Sequence, residues 1–315
     1  MRFPLFILGI VFSLNAYSQY PSKPVRLFVG YAAGSSTDIV ARVMADRMSA
    51  YWKQPVVVET RAGAAGNLAA DAAAKAPGDG YTLLFAQNGL AISAALVPNL
   101  PFRAETDLVP LAPVAATPHI LIVPPNAPYK SVKELIAAAK AQPGRLSYAS
   151  SGVGNSDHLC GELFNAMAGI DAIHVPYKGG APASVDVMAG RIAYYFAGMP
   201  VGLPLHKTGR APALAVTSEK RFEGAPDVPT VGETLPGFQH TLWQGFFAPA
   251  SLPAELGARI SADVQAVMKL PETKEKLKGA SVELWDDSQD NFKRAFVADV
   301  AKWRELQKKT GLKLQ

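Results

Sequence analysis

The sequence predicts an α/β architecture in two lobes, on three observations. Extended apolar runs alternate with amphipathic helical patterns in the order βαβαβ, which implies a mainly parallel sheet. The same alternation restarts midway through the chain, after Pro124 and Pro125. The 315 residues exceed one ordinary core and suit two domains of about 100 to 200 residues each. Hydrophobic residues make up 49%, charged residues 18%, and there are 26 Gly and 25 Pro, enough apolar material for real cores with many turns between short elements.

The chain opens with Arg2, an apolar run over residues 3–14, and small residues Ala16 and Ser18 spaced as at a cleavage site. Residues 1–18 are therefore expected to be a signal peptide. An uncleaved anchor is the weaker alternative, because a membrane span needs about 20 apolar residues. Strands follow at 25–29, 56–58 and 82–85. The helix between the first two begins near Thr37, and its Ile39, Val40, Val43 and Met44 share one face. An alanine-rich helix precedes the third strand.

After a strand at 120–123, Ser131 and Glu134 have the spacing of a capping box and open the first helix of the second lobe. Strands are expected there at 146–149, 173–175, 192–196 and 214–216, with helices starting near Asp157 and Pro182. An apolar extended stretch at 242–249 precedes two long helical patterns, 253–269 and 288–310, around a short strand at 282–284. This tail has too little strand to fold alone, so it is expected to return to the first lobe and leave two crossing strands as a hinge. The expected division is 19–123 with 243–315 for lobe 1, and 124–242 for lobe 2.

Cleavage after Ser18 removes only the charge of Arg2, lowering the formal net charge from +5 to +4 with no Lys/Arg block. That argues against nucleic acid as a partner. No later segment is long enough to span a membrane. The single cysteine, Cys160, cannot form an intramolecular disulfide, and none lies near the cleavage site to accept a lipid.

In an open parallel sheet, ligands sit beyond the carboxyl ends of the strands, where loops enter helix N-termini. After the first strand, Gly30-Tyr31-Ala32-Ala33-Gly34-Ser35-Ser36-Thr37-Asp38 is a small-residue loop exposing backbone N–H groups. A carboxylate suits such a place, since a helix N-terminus carries partial positive charge and unpaired donors. Alternatively, Ser35 or Ser36 merely caps the helix and the glycines only turn the chain. Gly63-Ala64-Ala65-Gly66-Asn67 repeats the device after the second strand, and it too could be a tight turn. A GxxG loop also occurs in RNA-binding domains, but the aromatic and basic surroundings of that role are missing. Gln87-Asn88-Gly89 brings amides to the same sheet end. In the second lobe, Ser150-Ser151-Gly152-Val153-Gly154-Asn155-Ser156 and Tyr177-Lys178-Gly179-Gly180 follow strands in the same way. Several such loops together carry more weight than any one.

Catalytic readings are weaker. Gly154-Asn155-Ser156-Asp157-His158 approximates a nucleophile elbow but has His158 where the second glycine belongs. Asp157, His158 and Cys160 on one helix cannot all converge on a metal, and HExxH, CxxC, Walker A and a complete GxGxxG are absent. Cys160 reads as a packed core residue, and His119, His174, His206 and His240 as structural or surface residues. No metal or cofactor is expected.

From residue 20 to 314 the chain resembles the substrate-binding proteins of tripartite tricarboxylate transporters, the Bug family of bacterial periplasmic receptors. The marks are Ala33-Gly34-Ser35-Ser36-Thr37-Asp38-Ile39-Val40-Ala41-Arg42, Gly63-Ala64-Ala65-Gly66-Asn67 and Asp79-Gly80-Tyr81-Thr82-Leu83-Leu84 in the first lobe. The second lobe adds Gly152-Val153-Gly154, His158-Leu159, His174-Val175-Pro176-Tyr177-Lys178-Gly179, Ala215-Val216-Thr217-Ser218 and Asp227-Val228-Pro229-Thr230-Val231. The resemblance implies a type II periplasmic-binding-protein fold, a periplasmic location and closure of the lobes over a small organic anion, often a carboxylate. It implies delivery to a membrane permease by a monomeric receptor without catalysis. It also points to Ala33, Gly34, Ser35, Asp38, Ala64, Asn88, Ser151, Gly154, Ser156 and Tyr177 as ligand-binding residues, with Tyr31 in the same first loop. Asp38 either contacts a ligand amine or hydroxyl or simply sits in the first helical turn. Gly30 stands where proline is common, Ser35 where glycine is, Thr60 and Ala62 where Asn and Pro are, and Ala193 where an acidic residue often follows the strand. The alternatives are an extracytoplasmic sensor for a two-component system or a hydrolase on the same fold.

Overall fold

The computed structural model describes residues 20–310. The expected signal peptide, residues 1–18, lies outside the described residues.

Strand β1 (Val25–Val29) runs through the small-residue loop into α1 (Ser36–Trp52), where the Ser35 hydroxyl caps the Asp38 N–H at 3.2 Å. Strand β2 (Val56–Thr60) leads by one 3-10 turn into α2 (Asn67–Ala74), and β3 (Thr82–Gln87) follows. β2 and β3 flank β1 in parallel, as the βαβαβ pattern requires. Two short helices, α3 (Gly89–Leu96) and α4 (Ala104–Asp107), then precede β4 (Leu108–Ile122).

β4 is much longer than the expected strand at 120–123. Pro110, Pro113 and Pro118 lie within it, and a residue without an N–H ordinarily argues against a central strand. Bulges between Pro110 and Ala112 and between Pro113 and Ala115 absorb the missing donors, so the strand continues while its ladder shifts.

The second lobe contains α5 (Val132–Ala141), β5 (Ser147–Ser150), α6 (Ser156–Ala168), β6 (Ile173–Pro176) and α7 (Gly180–Met188). It continues through β7 (Tyr194–Gly198), α8 (Met199–Lys207) and β8 (Ala213–Val216). Ser131 caps the Glu134 N–H at 3.2 Å, but the Glu134 carboxylate takes the Lys130 N–H rather than that of the cap residue. α8 was not legible, because Pro200 and Pro204 interrupt its pattern.

Strand β9 (Thr241–Pro249) returns to the first sheet, followed by α9 (Ala254–Lys269), α10 (Pro271–Gly279) and α11 (Gln289–Thr310). The strand expected at 282–284 is reduced to one bridge, Leu284 to Ala115. α10 and its turn end just before this segment, at residues 279 and 281.

The sheet order is β2-β1-β3-β9-β4-β7-β5-β6, with β8 also on β4. β4 and β9 pair antiparallel from Leu108 to Pro118, while His119 to Ile122 pair with β7. The two long strands thus cross between the lobes. Thr217 fastens the crossing: its hydroxyl accepts from the His119 N–H at 2.7 Å and donates to the His240 carbonyl at 2.7 Å. Its main chain also exchanges bonds with both residues.

Each sheet is covered on two faces. α1 and α9 pack Met44, Ile260 and Val264 on one face of the first sheet. On the other, α11 brings Phe292 and Phe296 against Trp243 and Phe247 with edge-to-face rings. Burying each such phenylalanine contributes about 1.5–3 kcal/mol. Trp243 donates to Asp299 at 2.8 Å, which ties the last helix to the first lobe.

Candidate ligand-binding site

The carboxyl ends of β1, β2, β5 and β6 turn toward one gap between the lobes. An outer chamber of about 380 Å³ is walled by Gly30–Ala32 and Ala62–Gly66 from one lobe, and by Ser151–Val153, Asn155 and Tyr177–Gly179 from the other. This is the size range of small-molecule sites. An inner hollow of about 20 Å³ lies among Ser35, Ser36 and Thr37 at the start of α1 and Ser156 and Asp157 at the start of α6. It has room for roughly one water. Tyr31 lines both spaces, and its hydroxyl donates to the Ala65 carbonyl at 2.9 Å.

The lobes are in close contact. A Cβ on Gly179 would lie 2.9 Å from the Ala32 Cβ, and one on Gly198 would lie 2.1 Å from the Ser36 Oγ. The two lobes touch at these points, with the outer chamber beside them.

Two helix N-termini from different lobes therefore face one hollow. Ser36 and Thr37 open α1, Ser156 and Asp157 open α6, and no lysine or arginine lines that space. First-turn N–H groups have no acceptor within their own helix and carry partial positive charge. Nearby imidazoles add no charge at neutral pH. Burial pulls His119 and His158 down to about 3 and His174 to about 4, and His240 well below its ordinary value.

One acid stands in the same hollow. The Asp157 carboxylate accepts from the Ser151 N–H at 2.8 Å, the Tyr195 hydroxyl at 2.9 Å and the His158 N–H at 2.9 Å. Burial nevertheless pushes its pKa above the usual carboxylate range, and those hydrogen bonds only partly oppose the shift.

The Gly63–Gly66 turn is tightly wound. Ala64 and Ala65 hold left-handed φ angles of 48° and 56°, which cost non-glycine residues about 1–2 kcal/mol each. Gly30 makes the turn's position possible, since a Cβ there would sit 2.3 Å from the Gly66 Cα. Any side chain at 30 would displace this wall. Gly30→Ala is expected to shift the turn, destabilise the fold by about 1–3 kcal/mol and change affinity for the preferred acid by roughly tenfold. Melting curves and calorimetric titration check this. Unchanged affinities across a series of acids would show that the turn does not shape the chamber.

Among the expected site residues, Tyr31, Ser35, Ala64, Ser151, Ser156 and Tyr177 line the two spaces. Ala33, Gly34, Asp38, Asn88 and Gly154 line neither. Asp38 is engaged within its own helix start, accepting from the Gly34 N–H at 2.9 Å and from Arg42 at 2.9 and 3.0 Å. Asn88 donates to the Thr241 carbonyl at 3.0 Å, and the Gly154 N–H goes to His158 Nδ1 at 3.1 Å. Sequence reasoning named Ser36, Thr37, Gln87 and Asn155 only as members of their loops, weighed Asp157 only as a catalytic or metal residue, and did not name Tyr195 or Gly198, all of which line the two spaces. Asn155 directly precedes α6 and Asp157 lies in its first turn, so position alone could have found them.

Ser156 Oγ and His240 Nε2 are 2.8 Å apart, the spacing of a nucleophile and its base. No carboxylate among the described residues hydrogen-bonds His240, and burial holds its basicity far below that of a working general base.

Facing helix starts across a closing cleft define a solute-binding protein, and the comparisons agree. BugD, a periplasmic binding protein, superposes with a TM-score of 0.89 at 31% identity, covering 94% of this chain and 100% of that one. An R. palustris protein solved with adipate gives 0.89 at 33%, covering 93% and 98%. MatC from Rhodopseudomonas palustris with bound malate gives 0.86 at 27%, covering 91% and 99%. Protein BugT of Bordetella pertussis is 34% identical over 98% of this chain and 95% of its own length. The TctC family model, the tripartite tricarboxylate transporter family receptor, matches residues 40–312. The chain belongs to that family. Among the described residues no helix is long and apolar enough to cross a membrane.

Proposed function

We propose that the protein is an exported periplasmic receptor. It closes two lobes over a small carboxylate, hands it to the permease of a tripartite tricarboxylate transporter, and turns nothing over. The carrying observation is the pair of helix N-termini, α1 and α6, that face one hollow without a lysine or arginine beside it. Main-chain donors and helix ends supply the complement to a negative oxygen there. Ser35, Ser36, Thr37, Ser151 and Ser156 would hold that carboxylate. Tyr31, Ala64, Asn155 and Tyr177 would shape the outer chamber around the rest of the molecule. The adipate and malate in the structures of similar proteins support the class of ligand. Cleavage near Ser18, a monomer as working unit, and lobes of 19–123 with 243–315 and 124–242 belong to the same reading.

Isothermal titration of the purified mature chain against mono-, di- and tricarboxylates, amino acids and aromatic acids tests it. At least one carboxylate is expected to bind one to one. At 100 times its dissociation constant it should add about 2.7 kcal/mol of stability, raising the melting temperature. Silence across the panel would sink the receptor reading, and product formation would sink its non-catalytic part.

A further inference from the structure

We propose that His119, Cys160 and His240 form a buried binding site for a single ion of the zinc or copper(I) class, where the lobes cross. His119 lies on β4, Cys160 on α6, and His240 immediately before β9, so three separate elements supply one ligand each. Their donor atoms all lie within 4.8 Å of one another, and all three residues are buried. Bonds of about 2.0–2.3 Å place tetrahedral donors about 3.3–4 Å apart, so the site needs to contract by only about 1 Å.

The donor chemistry suits a borderline or soft cation. Two imidazoles with one thiolate select zinc or copper(I) over oxygen-seeking calcium or magnesium. An independent mark is an unsatisfied atom: Nδ1 of His119, in a residue 2% exposed, has no hydrogen-bond partner. A buried ring nitrogen left unpaired is costly, and a cation coordinated at that atom would satisfy it. His240 is oriented by Ser156 Oγ at 2.8 Å, the kind of outer contact that fixes a metal-ligating ring. The only cysteine in the chain has no disulfide alternative. Coordination would replace the proton of the Cys160 thiol with the ion and release that proton to solvent.

The test uses the tag-free mature chain, stripped with a chelator and titrated with cobalt(II), zinc(II) and, under reductant, copper(I). One ion per chain, a thiolate-to-cobalt charge-transfer absorption and a raised melting temperature are expected. Competition between zinc and copper(I) then assigns the preferred ion. Cys160→Ser should abolish the charge-transfer absorption. Cys160→Ser and His119→Gln should each weaken binding by more than about 100-fold, the most that loss of an outer-sphere partner costs. X-ray absorption on the loaded native chain gives a second reading, one sulfur and two imidazole nitrogens at the ion, even if a variant fails to fold. Absence of the sulfur ligand, or binding that survives both substitutions unchanged, would leave the three residues as ordinary core packing. Because Ser156 and His119 also border the inner hollow, the metal titrations are run without carboxylate and read by the cobalt and X-ray signals alone, so failure of ion binding is told apart from failure of carboxylate binding.

Discussion

Gly198→Val is expected to abolish tight carboxylate binding while leaving both lobes folded. Gly198 sits at φ −64° and ψ 145°, a backbone geometry open to any residue, so only space forbids a side chain there. A Cβ at this position would meet the Ser36 Oγ at 2.1 Å and the Ser36 Cβ at 2.8 Å, both in the opposing lobe. The lobes would stop short of contact. A carboxylate held by one helix start alone would lose the charged hydrogen bonds of the other, each worth about 1.5–3 kcal/mol. With two lost, affinity falls by at least about 100-fold. Titration calorimetry reads the loss, and small-angle scattering should find the variant expanded whether or not ligand is present. The Gly198→Ala protein, whose Cβ meets the same Ser36 atoms, should also bind weakly. Full affinity in Gly198→Val would mean that binding does not need this closure.

Asp157→Asn is expected to tighten binding of an organic anion at neutral pH and to flatten its dependence on pH. The native carboxyl is buried in the inner hollow with its pKa already raised. A ligand carboxylate about 5 Å away, at an effective dielectric constant near 20, would repel the ionised form by about 3 kcal/mol. Closing over the anion therefore raises the Asp157 pKa further, and the complex takes up a proton. Affinity should be lowest and level above the pKa of the complex, rise as pH falls from there to the pKa of the free protein, and level off below it. Titrations between about pH 5 and 8 keep the ligand's own carboxyl mostly ionised. Folding follows the same sign. A carboxyl whose folded pKa lies above its unfolded value costs nothing below the unfolded pKa. That cost grows as pH rises to the folded pKa and stays constant beyond it. The Asn variant should lose this part of the pH dependence of melting. Wild-type and variant curves of identical shape would show that Asp157 neither ionises near the ligand nor burdens the fold.

Much of the fold was legible because local rules and tertiary structure agree. The loop from Gly30 to Asp38 announces itself by small residues before an amphipathic pattern, and Ser35 caps α1 as its residue type predicts. Where the two levels disagree, legibility fails. Three prolines disguise β4, the longest strand, because its bulges can be read only from the pairing partner β9. The Gly63–Gly66 turn holds alanines at positive φ, which composition does not signal. At the site, the small residues that make the outer wall were visible. Asp157 was weighed only as a catalytic or metal residue, because its place beside α1 exists only once the lobes meet. Gly198 looks like any strand-end glycine until Ser36 stands opposite. His119, Cys160 and His240 are too far apart in the chain for any spacing rule to join them.

The lacing by Thr217 has a thermodynamic consequence. Because one side chain bonds to both crossing strands, displacing one strand at the crossing strains its bond to the other. A crossing tied in this way would narrow the directions in which the lobes could move apart. Fewer orientations would then be surrendered when the halves come together, and less of the free energy gained from a guest would be consumed by lost disorder.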